Sequence, residues 1–434
     1  MRSIDVTSVV LPLSVGLILA LLILKLGPLV VPIVVFLSLI LPWLVQDPFR
    51  LFIWLMVTWP VLTLYARVPL PAGIPDISYE RVLVPVTAGI IILEGLVRKR
   101  KLQQIGMLDV LVGTYVAAQL GSRVVVLWFE GLGKPDLNGI LDVILLPILM
   151  YWMTKNVLVS KWHLRWLLCA LILASVIIGL SGLYERALGL QESPFPITAY
   201  LIGGKLSTRF FDVPQGRAAG LVGNPAIYGA VLGIGVLVSL CCLVHSQQQR
   251  TRAVLAATII VLLYGIFASY TRSAWVSVAV ALFIAQFFMK DLWRRTLPIY
   301  AIGILFLVLG WNALESNPVV ASRILNPHNV DFRLAFVPLA WQRFLEKPVF
   351  GWGSGALDYF IFTYYQDSSH NIFLTLLVDG GLVLFLSFVA VIIYLFSRAL
   401  RVYQLLPQFE RSVLAAMIGS VVIYLLSGMA LELR

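Results

Sequence analysis

Charge is scarce in this chain. Asp, Glu, Lys and Arg make up 12% of its 434 residues while hydrophobic types make up 60%, which excludes a disordered segment and an ordinary soluble enzyme. The apolar supply, about 260 residues, is more than one soluble core can hide, and at roughly 20 residues per span it covers about a dozen membrane helices. Cysteine is rare too. Cys169, Cys241 and Cys242 lie inside apolar runs without a Cys-x-x-Cys spacing, so neither a disulfide scaffold nor a cysteine metal centre is encoded, and all three read as small buried hydrophobes. Alternating ten-residue strands are missing, which removes an outer-membrane barrel. No carboxylate cluster proposes a metal, and no Asp–His–Ser set can be read. Cations, by contrast, exceed acids by 32 to 21, and their positions speak for membrane topology rather than for nucleic acid.

What remains is an all-α polytopic membrane protein. Apolar runs break at charged or Pro/Gly-rich points, giving expected spans at 7–26, 28–45, 51–66, 80–97, 106–121, 137–154, 164–184, 223–245, 253–270, 273–289, 296–314, 371–397 and 412–431. This is about thirteen helices, within a range of about 12–14. With the N-terminus inside, the cytoplasmic segments hold 17 of the 32 Lys and Arg but only four acids, Asp5, Asp47, Asp291 and Glu410. The positive-inside bias therefore supports that orientation. His163 and His245 fall at inner helix ends, where interfacial snorkelling accounts for them. The first apolar run is long and lacks a small-residue cleavage site, so it reads as a permanent helix. The chain, 1–434, reads as one transmembrane domain with two long outer loops, 185–222 and 315–369, both longer than connections usually are.

Those loops carry cations on the side that the rule leaves poor in them. Arg186, Lys205, Arg209 and Arg217 lie in the first, Arg323, Arg333, Arg343 and Lys347 in the second, and Arg272 in the tight turn of "SYTRSAW". Anion binding is the simplest reason to keep them there, and arginine's planar fork suits phosphate oxygens. Arg186 beside Glu185, and Arg333 near Asp331, read instead as local ion pairs. Arg217 opens "GRAAGLVGNPAIYGA", where Asn224-Pro225 marks a turn feeding a helix start, and a helix N-terminus next to an arginine is a credible anion site. The same letters also describe a Pro-initiated helix with small packing residues.

His370 stands where the second loop enters an apolar helix, in "SSHNIFLTLLVDGGL". A histidine can take a proton from a hydroxyl near neutral pH; it can also be an interfacial residue beside a cap, with Ser368 and Ser369 at hand. His328, in "LNPHNVDF", competes with it but has no adjacent span. "DFRLAFVPLAWQRFLEKP" spaces Phe332, Phe336, Leu339 and Phe344 as an interfacial helix would. The aromatic cluster from Tyr359 to Tyr365 suits sugar stacking or an interfacial belt.

Four stretches together resemble the O-antigen ligase and polymerase superfamily of bacterial envelope glycosyltransferases: "GRAAGLVGNPAIYGAVL", "YTRSAW", "WQRFLEKPVFGWGSGALDYF" and "SSHNIFLTLLVDGGL". They occur in the family's order across roughly residues 200–400. The resemblance implies a GT-C-type helical fold in the bacterial inner membrane, with the active site on the periplasmic face. It implies an inverting, metal-independent transfer of a glycan from undecaprenyl diphosphate to lipid A-core, or to another lipid-linked glycan if the protein is a polymerase. Membrane lipid and the two glycans are the partners, with no nucleic acid and no cofactor. By the same resemblance His370 serves the acceptor hydroxyl and Arg217 and Arg272 bind the diphosphate, with Arg209, Asn224 and Asn371 as supporting residues. Relatives often carry a further span where this chain shows one beyond residue 411. A small-anion secondary transporter is the reading from another class. Against it, Glu94, Asp109 and Asp142 lie near expected span ends rather than at mid-membrane.

Overall fold

The computed structural model describes residues 47–62, 67–68, 77–97, 102–129, 137–188, 192–202, 205–212, 217–288, 301, 316, 334–365 and 371–429. Ten of the thirteen expected spans have a helix in their place. They are α1 (Pro48–Leu62), α2 (Tyr79–Val97), α3 (Met107–Phe129), α4 (Leu137–Val157), α5 (Lys161–Ala187), α6 (Pro225–His245), α7 (Gln249–Ala268), α8 (Arg272–Phe288), α11 (Ile372–Tyr403) and α12 (Gln408–Gly428). Between α8 and α11 lie two shorter helices, α9 (Phe336–Glu346) and α10 (Ala356–Tyr365). The spans expected at 7–26, 28–45 and 296–314 lie outside the described residues, as do His328 and His370. Six of the described helices, α4, α5, α6, α7, α11 and α12, are long and apolar enough to cross a membrane, and α8 is a shorter apolar helix. The protein is thus an all-α polytopic membrane protein.

Local chemistry sets the ends. Ser160 accepts the His163 N–H at 3.2 Å to start α5, and Asn224 accepts those of Ala226 and Ile227 to start α6, with Pro225 in the first position. At 21 residues α6 is about 31 Å long, the thickness of a hydrocarbon core. Its small residues decide the packing. A side chain at Gly229 would meet the Ala274 Cβ of α8 at 2.5 Å, and one at Gly182 of α5 would meet the Tyr228 ring. Glycine at these points lets neighbouring backbones approach closely, which is how membrane helices gain packing energy. The result is a core in which α6 lies among α5, α7, α8 and α12, built on Tyr228, Leu232, Val236, Leu237, Leu262 and Ile423. A second apolar cluster joins α1, α2 and α4 through Phe52, Leu55, Val84, Ile91 and Met153. A third ties α3 to α11 and α12.

The loop 185–222 holds something the composition does not announce. Strands β3 (Glu192–Ile202) and β4 (Lys205–Asp212) form an antiparallel hairpin, in which Thr198 pairs with Arg209. It lies beside a smaller ribbon of β1 (Arg67–Val68) and β2 (Ile77–Ser78). Two prolines in β3, at 194 and 196, break the alternation that would mark a strand in the sequence. The cysteines depart in one respect from the expected burial: Cys241 is buried and Cys242 half-buried, but Cys169 is exposed on α5, where the outer helix surface faces lipid.

Candidate functional site

The arginines meet at the turn between α7 and α8. Helix α7 ends at Ala268, and Tyr270 adopts a positive φ of 45°, a conformation that costs a bulky residue free energy and ends the helix sharply. The Trp275 ring stacks on Phe267 and its Nε1–H donates to the Ile266 carbonyl at 2.9 Å, which closes the turn from the α8 side. Into this turn reaches Arg217. Its Nε donates to the Ser269 carbonyl at 3.0 Å and its Nη2 to Thr271 Oγ1 at 2.7 Å. Arg217 is therefore bonded to the residue that immediately precedes Arg272, the first residue of α8. Both arginine side chains remain half-buried rather than enclosed. They stand at a helix N-terminus, whose dipole adds to their pull on an anion.

Arg186 completes the group, in a place its neighbours in sequence do not suggest. Its Nη2 donates to the Tyr270 hydroxyl at 2.6 Å and its guanidinium lies 4.8 Å from the Tyr270 ring centre. Glu185, its expected partner, is 1% exposed and accepts the backbone N–H groups of Ala219 at 3.0 Å and Gly220 at 2.7 Å. The Leu221 N–H donates to Ser181 Oγ, and the Ala218 N–H to the Ala268 carbonyl. Segment 217–223 is thus stitched to α5 on one side and to the arginine turn on the other. Gly220, at φ +53°, lies so close to Ser181 and Gly182 that no side chain fits. The glycines of "GRAAGLVGNP" serve this docking. The N-terminal N–H groups of α6, which the sequence offered to an anion, are taken by Asn224 itself.

A second assembly is built on α11. Asn371 accepts the N–H groups of Phe373 and Leu374 and is the N-cap, a role the sequence offered to Ser368 and Ser369. His370 precedes this cap directly and lies outside the described residues. The helix breaks at Gly381, with φ 62° and ψ −161°. The break divides it into Ile372–Gly380 and Leu382–Tyr403. Buried Asp379 accepts N–H groups from Gly355 at 2.6 Å and Leu357 at 3.0 Å, and its carbonyl accepts Gly353 N–H and the Ser122 hydroxyl. The glycine-rich turn of "GWGSGALDYF" is held on the helix break by these bonds. Two cations of this loop have local partners: Arg343 pairs with Glu346 and lies over Phe360, and Lys347 lies over Trp352.

The two assemblies share one end of the bundle. Ile372 packs against Gly428 at the end of α12, and the adjacent Ser427 donates to Ser277 Oγ of α8 at 3.2 Å. Ser277 is about 7.5 Å along α8 from Arg272. The last turn of α12 thus touches both α8 and the start of α11. Arg209 lies in β4, with its backbone paired to Thr198. His163 is stacked on Phe49, and His245 Nε2 lies 2.8 Å from Ser412 Oγ. Ion pairs Arg81–Asp142 and Lys155–Asp109 sit near helix ends rather than at mid-membrane. Among the described residues no three His, Cys, Asp or Glu side chains gather as a metal-ligand set. Arg186, Tyr270 and Asp379 were not singled out as site residues by sequence. A positive φ at tyrosine and a carboxylate bonded to two N–H groups of a turn 22 and 24 residues away leave no local sequence signal.

No curated protein matches the chain. Residues 257–389, under a third of the chain, match the family model of the O-antigen ligases, a stretch that contains Arg272, the glycine-rich turn and the start of α11. Over those residues the chain resembles that family.

Proposed function

We propose that the protein is a membrane glycosyltransferase of O-antigen assembly, one transmembrane unit whose periplasmic loops 185–222 and 315–369 carry the active site. It takes a glycan from undecaprenyl diphosphate in the bacterial inner membrane and hands it to a sugar hydroxyl of lipid A-core. The observation that carries this reading is the arginine turn: Arg217 bonded to the residue next to Arg272, with Arg186 on Tyr270, three cations at one helix start. A dianionic leaving group is what such a cluster suits.

The reaction is a single displacement. The acceptor oxygen forms the new bond to the anomeric carbon while the bond from that carbon to the phosphate oxygen breaks. The electron pair leaves on the diphosphate, where Arg217 and Arg272 stabilise the growing charge. His370 takes the acceptor's proton. Attack from the face opposite the leaving group inverts the anomeric configuration. Neither a metal nor a nucleotide sugar enters this scheme. The buried carboxylate at the break of α11 is spent on backbone N–H groups, which speaks against a coupling-ion site and so against transport. The test is transfer by purified protein from a lipid-diphosphate glycan, offered in parallel to lipid A-core and to a second lipid-linked glycan. Product on the first acceptor alone is expected; product on the second alone makes the protein a polymerase, and product on neither overturns the reading.

A further inference from the structure

A cavity of about 370 Å³ opens between α3, α4, α11 and α12. Its size is that of a small-ligand site. One wall is polar, with Gln119, Arg123 and Asp142; the other is apolar and aromatic, with Leu384, Phe388 and Tyr424. Asp142 is the instructive residue. Arg81, 7% exposed, grips it with both arms of the guanidinium, Nε to Oδ1 at 2.8 Å and Nη2 to Oδ2 at 2.6 Å. The carboxylate nevertheless stays 34% exposed, with lone pairs left over on each oxygen. It sits in a π-helical turn, Ile140–Leu145, a distortion frequent at functional positions.

We propose that this cavity binds the acceptor sugar, a neutral pyranose whose hydroxyl groups donate to Asp142 and accept from Arg123 and Gln119. The inference rests on the glycosyl-transfer reading above and gives its acceptor a place. A fixed acceptor and fixed donors facing an aromatic wall match the hydroxyl edge and the C–H face of a sugar. A lipid tail would leave Asp142 and Gln119 facing hydrocarbon, at a cost in desolvation. The position follows the chemistry too. Ile372 and Thr375, in the first turn of α11, line the cavity. The cavity thus opens at the helix start that follows His370 in the chain.

Full-length protein in nanodiscs, without donor, is titrated calorimetrically with soluble core oligosaccharide. Saturable binding is expected, weakened about tenfold or more by Asp142→Asn and by Gln119→Leu, and unchanged by Arg272→Ala. Gln119→Leu leaves the Arg81–Asp142 pair intact but loses the bond to the Tyr115 hydroxyl, so its thermal unfolding is measured alongside and must match wild type. Undiminished binding in Gln119→Leu, absence of binding to wild type, or competition by an isoprenyl diphosphate overturns the proposal. Wild-type transfer is measured on the same preparation. Transfer with no effect of the cavity variants defeats the cavity and spares the glycosyltransferase; sugar binding without transfer does the reverse.

Discussion

Arg217 has two tasks, and they separate by substitution. It holds the turn through Ser269 and Thr271, and in the proposed reaction it faces the leaving diphosphate. Arg272→Ala is expected to lower transfer about a hundredfold. Arg217→Ala should lose as much and also melt earlier, because the turn loses two bonds. Lysine at either position restores transfer only in part, since an ammonium lacks the fork. Thr271→Ala, which removes one partner of Arg217 and the hydroxyl's own bond to the Ser269 carbonyl, checks the division: it should cost stability more than turnover. For His370, alanine should lose about 10²–10⁴-fold in turnover with donor binding retained. A protonated imidazole cannot accept a proton, so activity should fall as acid protonates the histidine. Near-normal transfer by His370→Asn, a poor base, removes His370 from the mechanism.

At the scale of elements, the break in α11 explains why the same helix serves both the membrane and the loop. Gly381 has a backbone conformation that only glycine adopts readily, and a side chain there would strike the Val349 carbonyl. Gly381→Ala should therefore cost at least about 1–3 kcal/mol, read as earlier thermal unfolding. Asp379→Ala should do likewise by stranding two backbone donors, about 1–3 kcal/mol each. The helices themselves were legible because apolar length is a coarse signal that tertiary context seldom overrides. Asn224 and the pairing of Pro225 with a helix start were legible as capping chemistry. The hairpin of 192–212 was not, because its prolines hide the alternation. Arg186 was misassigned to Glu185 because adjacency in sequence says nothing about which face of α5 each side chain leaves. Loop helix α9 was legible by spacing, and its other face, Val337, Trp341 and Leu345, is exposed as an interfacial helix requires.

Across the whole molecule, the arginine turn and the start of α11 lie toward one end of the bundle. Sequence could place them on one side only through loop charge; that they share one end follows from α12, which joins α8 to α11 through Ser427 and Gly428. The central claim is glycosyl transfer with release of the lipid diphosphate. A single-turnover experiment with purified full-length protein, lipid-diphosphate glycan and lipid A-core measures both products at once. The account predicts free undecaprenyl diphosphate and glycosylated acceptor in equal amounts at equal rates, both slowed about a hundredfold in Arg272→Ala. Acceptor glycosylation that proceeds at the wild-type rate in Arg272→Ala, or the absence of any released diphosphate, would contradict it.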